Sequence, residues 1–320
     1  MGPRGENPQP RGCPRTSGAV VLGPAVAGET RWEGESQRLP ALSGRAIAAF
    51  RMPDTIAKSD PPSRLLMRLQ REVLQRPLAA ALGALALVSL VFLLAPGLDL
   101  TISRFFYASP AGFSGARNSI LEALRDGGRI VEWAFALAVV APLLIKVLVP
   151  QGRILLPPRA SLFVLATFVL GPWLIVNGIL KEFWGRARPR AILEFGGDAI
   201  YSPAWWISDQ CERNCSFVSG EAASAFCLVA LVFLVRKEWW PVVAATTLAF
   251  AATVSFTRIA AGGHFLSDVL IAWLVTLYVM IALHRMVLRG LPLAFDRSVE
   301  AAAGRSGEAL RRLIRGRLPS

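Results

Sequence analysis

Three separated fragments of this chain carry the residue types that phosphoryl chemistry requires: Lys181 with Arg188-Pro189, Ser219-Gly220, and Arg258 with His264 and Asp268. Such chemistry needs cations and backbone N–H groups for the equatorial oxygens, and a nucleophile held by a carboxylate. The chain has two histidines, His264 and His284, and only His264 has an aspartate four residues later. Residues at that spacing share a helix face, and an imidazole held by a carboxylate is the better nucleophile. Lys181, Arg188 and Arg258 would clamp phosphate oxygens, the arginines in bidentate fashion. Ser219 and Gly220 open an apolar segment, where free N–H groups favour an anion, and a glycine lets the backbone come close. The plainer readings are a satisfied histidine at a helix start and a lysine snorkelling at a helix end.

The elements that position these residues read as membrane helices. Hydrophobic residues make up 53% of the chain and mean hydropathy is +0.46. The apolar residues come in blocks. Pro77 to Leu98, Ala160 to Leu180 and Trp239 to Thr257 contain no charged residue, and each is close to the ~20 residues that span a bilayer. Ile130 to Val149, Gly220 to Val235 and Val269 to His284 are shorter or interrupted. The expectation is an all-α bundle of six transmembrane helices with short interfacial helices, placed in the cytoplasmic (inner) membrane. A buried-core role for the short segments is the plain alternative.

Charge sets the orientation. Twelve Lys and Arg against seven Asp and Glu precede Pro77, and eight against three follow His284. The positive-inside rule then puts both termini in the cytoplasm, with Lys181, Arg188, Ser219, Arg258 and His264 on the periplasmic or exterior face. The net charge of +13 could suggest nucleic acid. No recognition motif accompanies it, and attraction of juxtamembrane arginines to anionic lipid is simpler, so no nucleic-acid partner is expected.

Residues 1–63 are rich in Gly, Pro, Arg and Ser without periodicity, the pattern of a disordered basic tail. They contain no apolar signal-peptide core, and the stretch opened by Met52 would serve as a natural amino terminus, so an over-extended reading frame is one expectation. Residues 64–290 form the membrane domain and 291–320 a basic cytoplasmic tail. Arg64 to Arg76 and Asn118 to Arg129 have the alternation of amphipathic surface helices or of ordinary solvated ones. The loop from Lys181 to Phe217 is irregular, its Trp205-Trp206 pair suited to anchoring at the interface, and Arg186 and Arg190 read as interfacial cations. Cys211 and Cys215 lie in this loop and are either disulfide-bonded or free; with no second cysteine pair, a zinc site is not expected.

The order, spacing and placement of Lys181, Arg188-Pro189, Ser219-Gly220, Arg258, His264 and Asp268 resemble the three-part signature of the type 2 phosphatidic acid phosphatase superfamily, over about residues 64 to 290. The resemblance implies a helical bundle whose site opens at the outer interface, with His264 attacking phosphorus and Asp268 orienting it, without metal or cofactor. Two departures stand out. Glu221 occupies the place of the histidine that in the family protonates the leaving oxygen, which makes Glu221 the candidate general acid, or the enzyme a weakened one. Thr257 replaces the usual serine before Arg258.

The implied function is a membrane phosphoric monoester hydrolase acting on a lipid phosphate in the outer leaflet. Candidate substrates are a lipid A phosphate, undecaprenyl pyrophosphate, phosphatidic acid or phosphatidylglycerol phosphate. The run Cys211, Asn214-Cys215-Ser216-Phe217 and Glu221 resembles lipid A phosphatase-like members. The rivals are a non-catalytic phospholipid-binding protein and a phosphate transporter, the latter disfavoured by the charge-free span interiors.

Overall fold

The computed structural model describes residues 75–152, 154 and 156–315. The amino-terminal tail, its Met52 and Cys13, and nearly all of the amphipathic stretch Arg64 to Arg76 lie outside the described residues. Among the described residues, eight helices of eight or more residues follow one another: α1 (Pro77–Leu94), α2 (Gly97–Arg104), α3 (Ser119–Leu148), α4 (Pro158–Phe183), α5 (Gly220–Phe233), α6 (Lys237–Ala260), α7 (Leu266–Arg289) and α8 (Leu293–Arg315). Between α2 and α3 a two-stranded hairpin pairs β1 (Tyr107–Ala108) with β2 (Gly112–Phe113), a small exception to the all-α expectation.

Five of these helices (α1, α3, α4, α6 and α7) are long and apolar enough to cross a membrane, and α5 is a shorter apolar helix. Large side chains on their outer surfaces, such as Leu87, Leu94, Trp133 and Trp173, are mostly exposed. In water such a surface would be costly, whereas in a bilayer it faces lipid. The chain is a multi-pass membrane protein. α7 is the central helix, with 56% of its most apolar stretch buried against 11% for α1. Around it Phe163, Val164, Ala225, Phe226, Val254 and Met280 form the main core.

Local sequence accounts for where helices start and bend. Pro77 and Pro158 occupy first-turn positions, where a missing N–H is harmless. Asn118 caps α3 by accepting from Ile120 N and Leu121 N at 3.0 and 3.2 Å. The surface helix expected over Asn118 to Arg129 is therefore not separate. It continues unbroken into the span, because nothing between Asp126 and Ile130 breaks α-helical winding, the Gly127-Gly128 pair included. In α4 Pro172 interrupts the ladder and residues Val169–Leu180 wind as a wider π-helix. Asn177 Nδ2 donates to the Pro172 carbonyl at 2.7 Å, which repairs one acceptor of the bend.

The expected basic tail after residue 291 is largely the helix α8, docked on α3 and α4. Asp296 accepts from Arg159 N and Nε at 2.9 and 2.6 Å, Lys146 pairs with Glu300 at 3.3 Å, and Arg311 Nη2 donates to the Leu148 carbonyl at 2.7 Å. The chain's up-and-down course sets these contacts at one end of the bundle. The end of α4, the start of α5, the end of α6 and the start of α7 meet at the other.

Candidate functional site

That second end gathers the predicted residues, and its organising centre is one that sequence reasoning assigned to the interface. Arg186 is fully buried. Its Nη1 donates to Asp268 Oδ1 at 2.6 Å and to Ser267 Oγ at 2.9 Å, Nη2 donates to Asp99 Oδ2 at 2.9 Å, and Nε donates to the Ser202 carbonyl at 2.8 Å. Its guanidinium lies 4.3 Å from the centre of the Phe265 ring. Burial works against its charge, yet Asp268 and Asp99 hold its pKa above the ordinary value. Asp99, on α2, also accepts from Ser267 N (2.9 Å) and Ser267 Oγ (2.5 Å). Burial raises its carboxyl above the usual range, with Arg186 opposing.

Asp268 stands in the first turn of α7, where its Oδ2 accepts from Phe265 N at 2.9 Å and from the Ser216 hydroxyl at 2.5 Å. The carboxylate thus caps the helix and anchors the 184–219 loop. His264, almost fully buried, has Nδ1 2.7 Å from the Ser216 carbonyl and 3.8 Å from Asp268 Oδ2. The second distance exceeds a hydrogen bond. The expected direct hold of Asp268 on His264 is therefore relayed here: Asp268 holds Ser216, and Ser216 holds the imidazole. A carbonyl can only accept, so Nδ1 carries the proton and Nε2 keeps its lone pair. Burial pushes the His264 pKa down to about 4, Asp268 resists, and the charges of Arg188 and Lys181 add to the depression.

The turn from α6 to α7 depends on two glycines. Gly262 has φ of +63°, and a Cβ on Gly263 would stand 2.6 Å from Arg258 Nη2. A side chain at Gly263 would push the Arg258 guanidinium aside. Ser219 caps α5, and its N–H donates to the Asp268 carbonyl at 3.2 Å. A Cβ on Gly220 would stand 2.3 Å from Asn177 Oδ1, so Gly220 lets the start of α5 seat against the bend in α4.

Glu221 does not stand free. Arg125 of α3 grips it through both oxygens, Nε to Oε2 at 2.8 Å and Nη2 to Oε1 at 2.6 Å. Arg258 Nε lies 3.2 Å from Oε2 without an aligned hydrogen bond, an ion-pair contact only. Arg188 donates through Nε and Nη2 to the Asn214 carbonyl at 3.0 and 2.7 Å; burial, with Arg190 and Arg258 nearby, lowers its pKa to about 10. Asn214 lies within the small loop closed by the Cys211–Cys215 disulfide. Lys181 lines a lateral cleft of about 410 Å³ with Gly220 and Glu221 at its polar end and Trp133, Phe168 and Trp173 among its apolar walls. Arg190 is exposed and shares a smaller hollow with Arg125 and Arg258. Trp205 is a packing residue rather than an anchor: its indole donates to Ser89 Oγ at 2.8 Å and its ring packs on Trp184 and Phe217, while Trp206 is exposed.

This arrangement brings the His264 imidazole within reach of the charges of Arg188 and Lys181, and Lys181 lines the cleft with Glu221, which Arg258 contacts. Residues 160–291 match the family model described as PAP2 superfamily. A protein of Francisella tularensis subsp. novicida (strain U112), "Lipid A 4'-phosphatase", is 35% identical over 56% of this chain and 81% of its own length. The chain belongs to the PAP2 superfamily. Proteins of the same name from Rhizobium leguminosarum and Rhizobium etli (strain ATCC 51251 / DSM 11541 / JCM 21823 / NBRC 15573 / CFN 42) are 44% and 35% identical, over 37% and 60% of this chain and 51% and 80% of theirs. Within this PAP2 chain, Arg125, Arg186, Asp99, Ser216 and Asn177 are the contributors that sequence reasoning missed. A charge two residues before Arg188 was the one visible hint, and it pointed equally to an interface.

Two outcomes follow from the geometry. Replacing Arg186 with Met leaves two buried carboxylates facing each other and should cost about 3–5 kcal/mol, whereas Asp99→Asn leaves one cation with one carboxylate and should cost clearly less; thermal unfolding in detergent orders the two, and equal losses would contradict the charge count. Histidine-selective NMR in the two-histidine chain should show the His264 resonance titrating near pH 4, and titration near 6.5 would mean an imidazole open to water.

Proposed function

We propose that this protein is an integral membrane phosphatase that removes a phosphate from a lipid through a phosphohistidine intermediate, with a lipid A phosphate as the favoured substrate. The observation that supports it best is the His264 imidazole, its Nδ1 held by the Ser216 carbonyl and the ring within reach of the charges of Arg188 and Lys181, with Lys181 at the polar end of a cleft whose walls are apolar. Such a cleft suits a molecule with a phosphate at one end and acyl chains at the other. The names of the three relatives favour lipid A.

In this reading Nε2 of His264 attacks phosphorus, the P–O bond to the lipid breaks, and the phosphoryl group rests on Nε2. The proton stays on Nδ1, where the Ser216 carbonyl and, beyond it, Asp268 stabilise the cationic ring. Lys181, Arg188 and Arg258 meet the phosphoryl oxygens, Arg188 turning from Asn214, with the Gly220 N–H at the start of α5. Their charge does the work that a divalent metal would otherwise do. Water then cleaves the N–P bond, releases inorganic phosphate and restores the imidazole.

Glu221 serves as an anchor for Arg125 and Arg258. A carboxylate that accepts two charge-assisted hydrogen bonds has no proton to donate, so the departing oxygen takes its proton from water. α5, enclosed by its neighbours, is the sixth span. Both termini face the cytoplasm and the site faces the periplasm or exterior, because the far-end arginines then have a use in binding phosphate while those of the termini follow the positive-inside rule.

Purified protein should release inorganic phosphate from lipid A, and His264→Ala should abolish that release; full activity in the variant would remove the nucleophile from the mechanism. Glu221→Gln should reduce turnover by similar factors, roughly ten- to a hundredfold, with nitrophenolate and with a sugar alkoxide leaving group. A loss confined to the poor leaving group would instead make Glu221 the general acid.

A further inference from the structure

The lateral cleft holds an acceptor that the phosphate chemistry leaves unused. Glu132 of α3 lines it with Arg129, Trp133, Trp173 and Lys181, and its Oε1 is shut from solvent without a hydrogen-bond partner. A buried carboxyl oxygen in that state is costly until something brings it a donor. Arg129, the adjacent cation on the same helix, is mostly exposed and pairs with Asp126 at 3.6 Å. The folded chain therefore keeps an unmet acceptor in the wall of the cavity that suits a lipid.

Its depth narrows the ligand. Arg125, which grips Glu221 at the polar end, precedes Glu132 by seven residues, a rise of about 10 Å along a helix. Glu132 thus stands about two turns below the phosphate level, where Trp133 and Trp173 begin the apolar wall. A lipid phosphate seated in the cleft would present its linker there, the sugar or glycerol that joins phosphate to acyl chains. The group that completes a buried acceptor at this level is a hydroxyl or an amide N–H.

We infer that Glu132 selects lipid phosphates whose linker carries a hydrogen-bond donor, as an N-acylated amino sugar does, over glycerolipids whose linker carries only esters. The inference rests on the lipid-phosphatase reading above. It also accounts for an acidic residue inside an apolar helix, a position that is otherwise unfavourable.

The test measures phosphate release by the full-length protein in mixed micelles from two substrates of matched acyl length: a phosphorylated N-acyl, 3-hydroxyacyl glucosamine lipid and phosphatidic acid. Glu132→Leu, which keeps the bulk without the acceptor, should raise KM for the amino-sugar lipid about tenfold with kcat little changed. On phosphatidic acid it should stay within about twofold of wild type. Glu132→Gln, which keeps one acceptor oxygen, should fall between the two and guards against a misfolded Leu variant. Equal changes on both substrates, or a loss confined to phosphatidic acid, would overturn the selectivity role while leaving the phosphatase reading intact. Wild-type protein that releases phosphate from neither substrate would overturn both.

Discussion

A guanidinium taken out of water must be met by carboxylates and carbonyls on nearly every side, and Arg186 meets that requirement by drawing three parts of the chain to one point. Asp99 comes from α2, Asp268 and Ser267 from the start of α7, and Ser202 from the loop that carries Arg186 itself. Desolvating such an ion is tolerated only where the partners are already in place, so the loop cannot settle away from α7 without stranding the charge. His264 inherits its position from this arrangement. The carboxylate that pairs with Arg186 also holds Ser216, and the Ser216 carbonyl sets the tautomer of the imidazole.

A second constraint comes from α4 and α5. Pro172 and the wide winding after it bend α4, and Asn177, which repairs the bend, faces Gly220 so closely that no side chain fits there. The amino end of the short helix α5 is thereby pressed into the bundle, with Ser219 beneath Asp268 and Glu221 turned toward α3. Arg125 completes the link by crossing from α3 to Glu221. The polar end of the cleft is thus cross-braced by ion pairs, while its walls of Trp133, Phe168 and Trp173 stay apolar. An amphipathic ligand and a bilayer both suit that division.

Much of this was legible from local pattern. Helix-length apolar runs announced the long helices, and the spacing of Lys181, Arg188-Pro189, Ser219-Gly220, Arg258, His264 and Asp268 marked the site, because phosphate recognition repeats a few side-chain types at helix ends. Reading failed where a residue's partner was distant. Arg186 looked like an interfacial cation, since its neighbours in sequence give no sign of burial. Glu221 looked unpartnered, and Asn118 to Arg129 looked like a surface helix, since the pairing of Arg125 with Glu221 has no local sign.

The sequence by itself determined the hydropathy that commits the chain to a membrane, the order of its long helices and the residues that gather at the candidate site, all of which are properties of residues and short spacings. Only the tertiary structure decided which charges meet. Arg186 and Asp99 are 87 residues apart, and Arg125 and Glu221 are 96 apart, so neither pairing has a local signal. The protonation pattern of His264 and the unmet acceptor of Glu132 depend on burial and on partners brought by other helices. Those are set by packing, because the electrostatic cost of a buried group is a property of its surroundings.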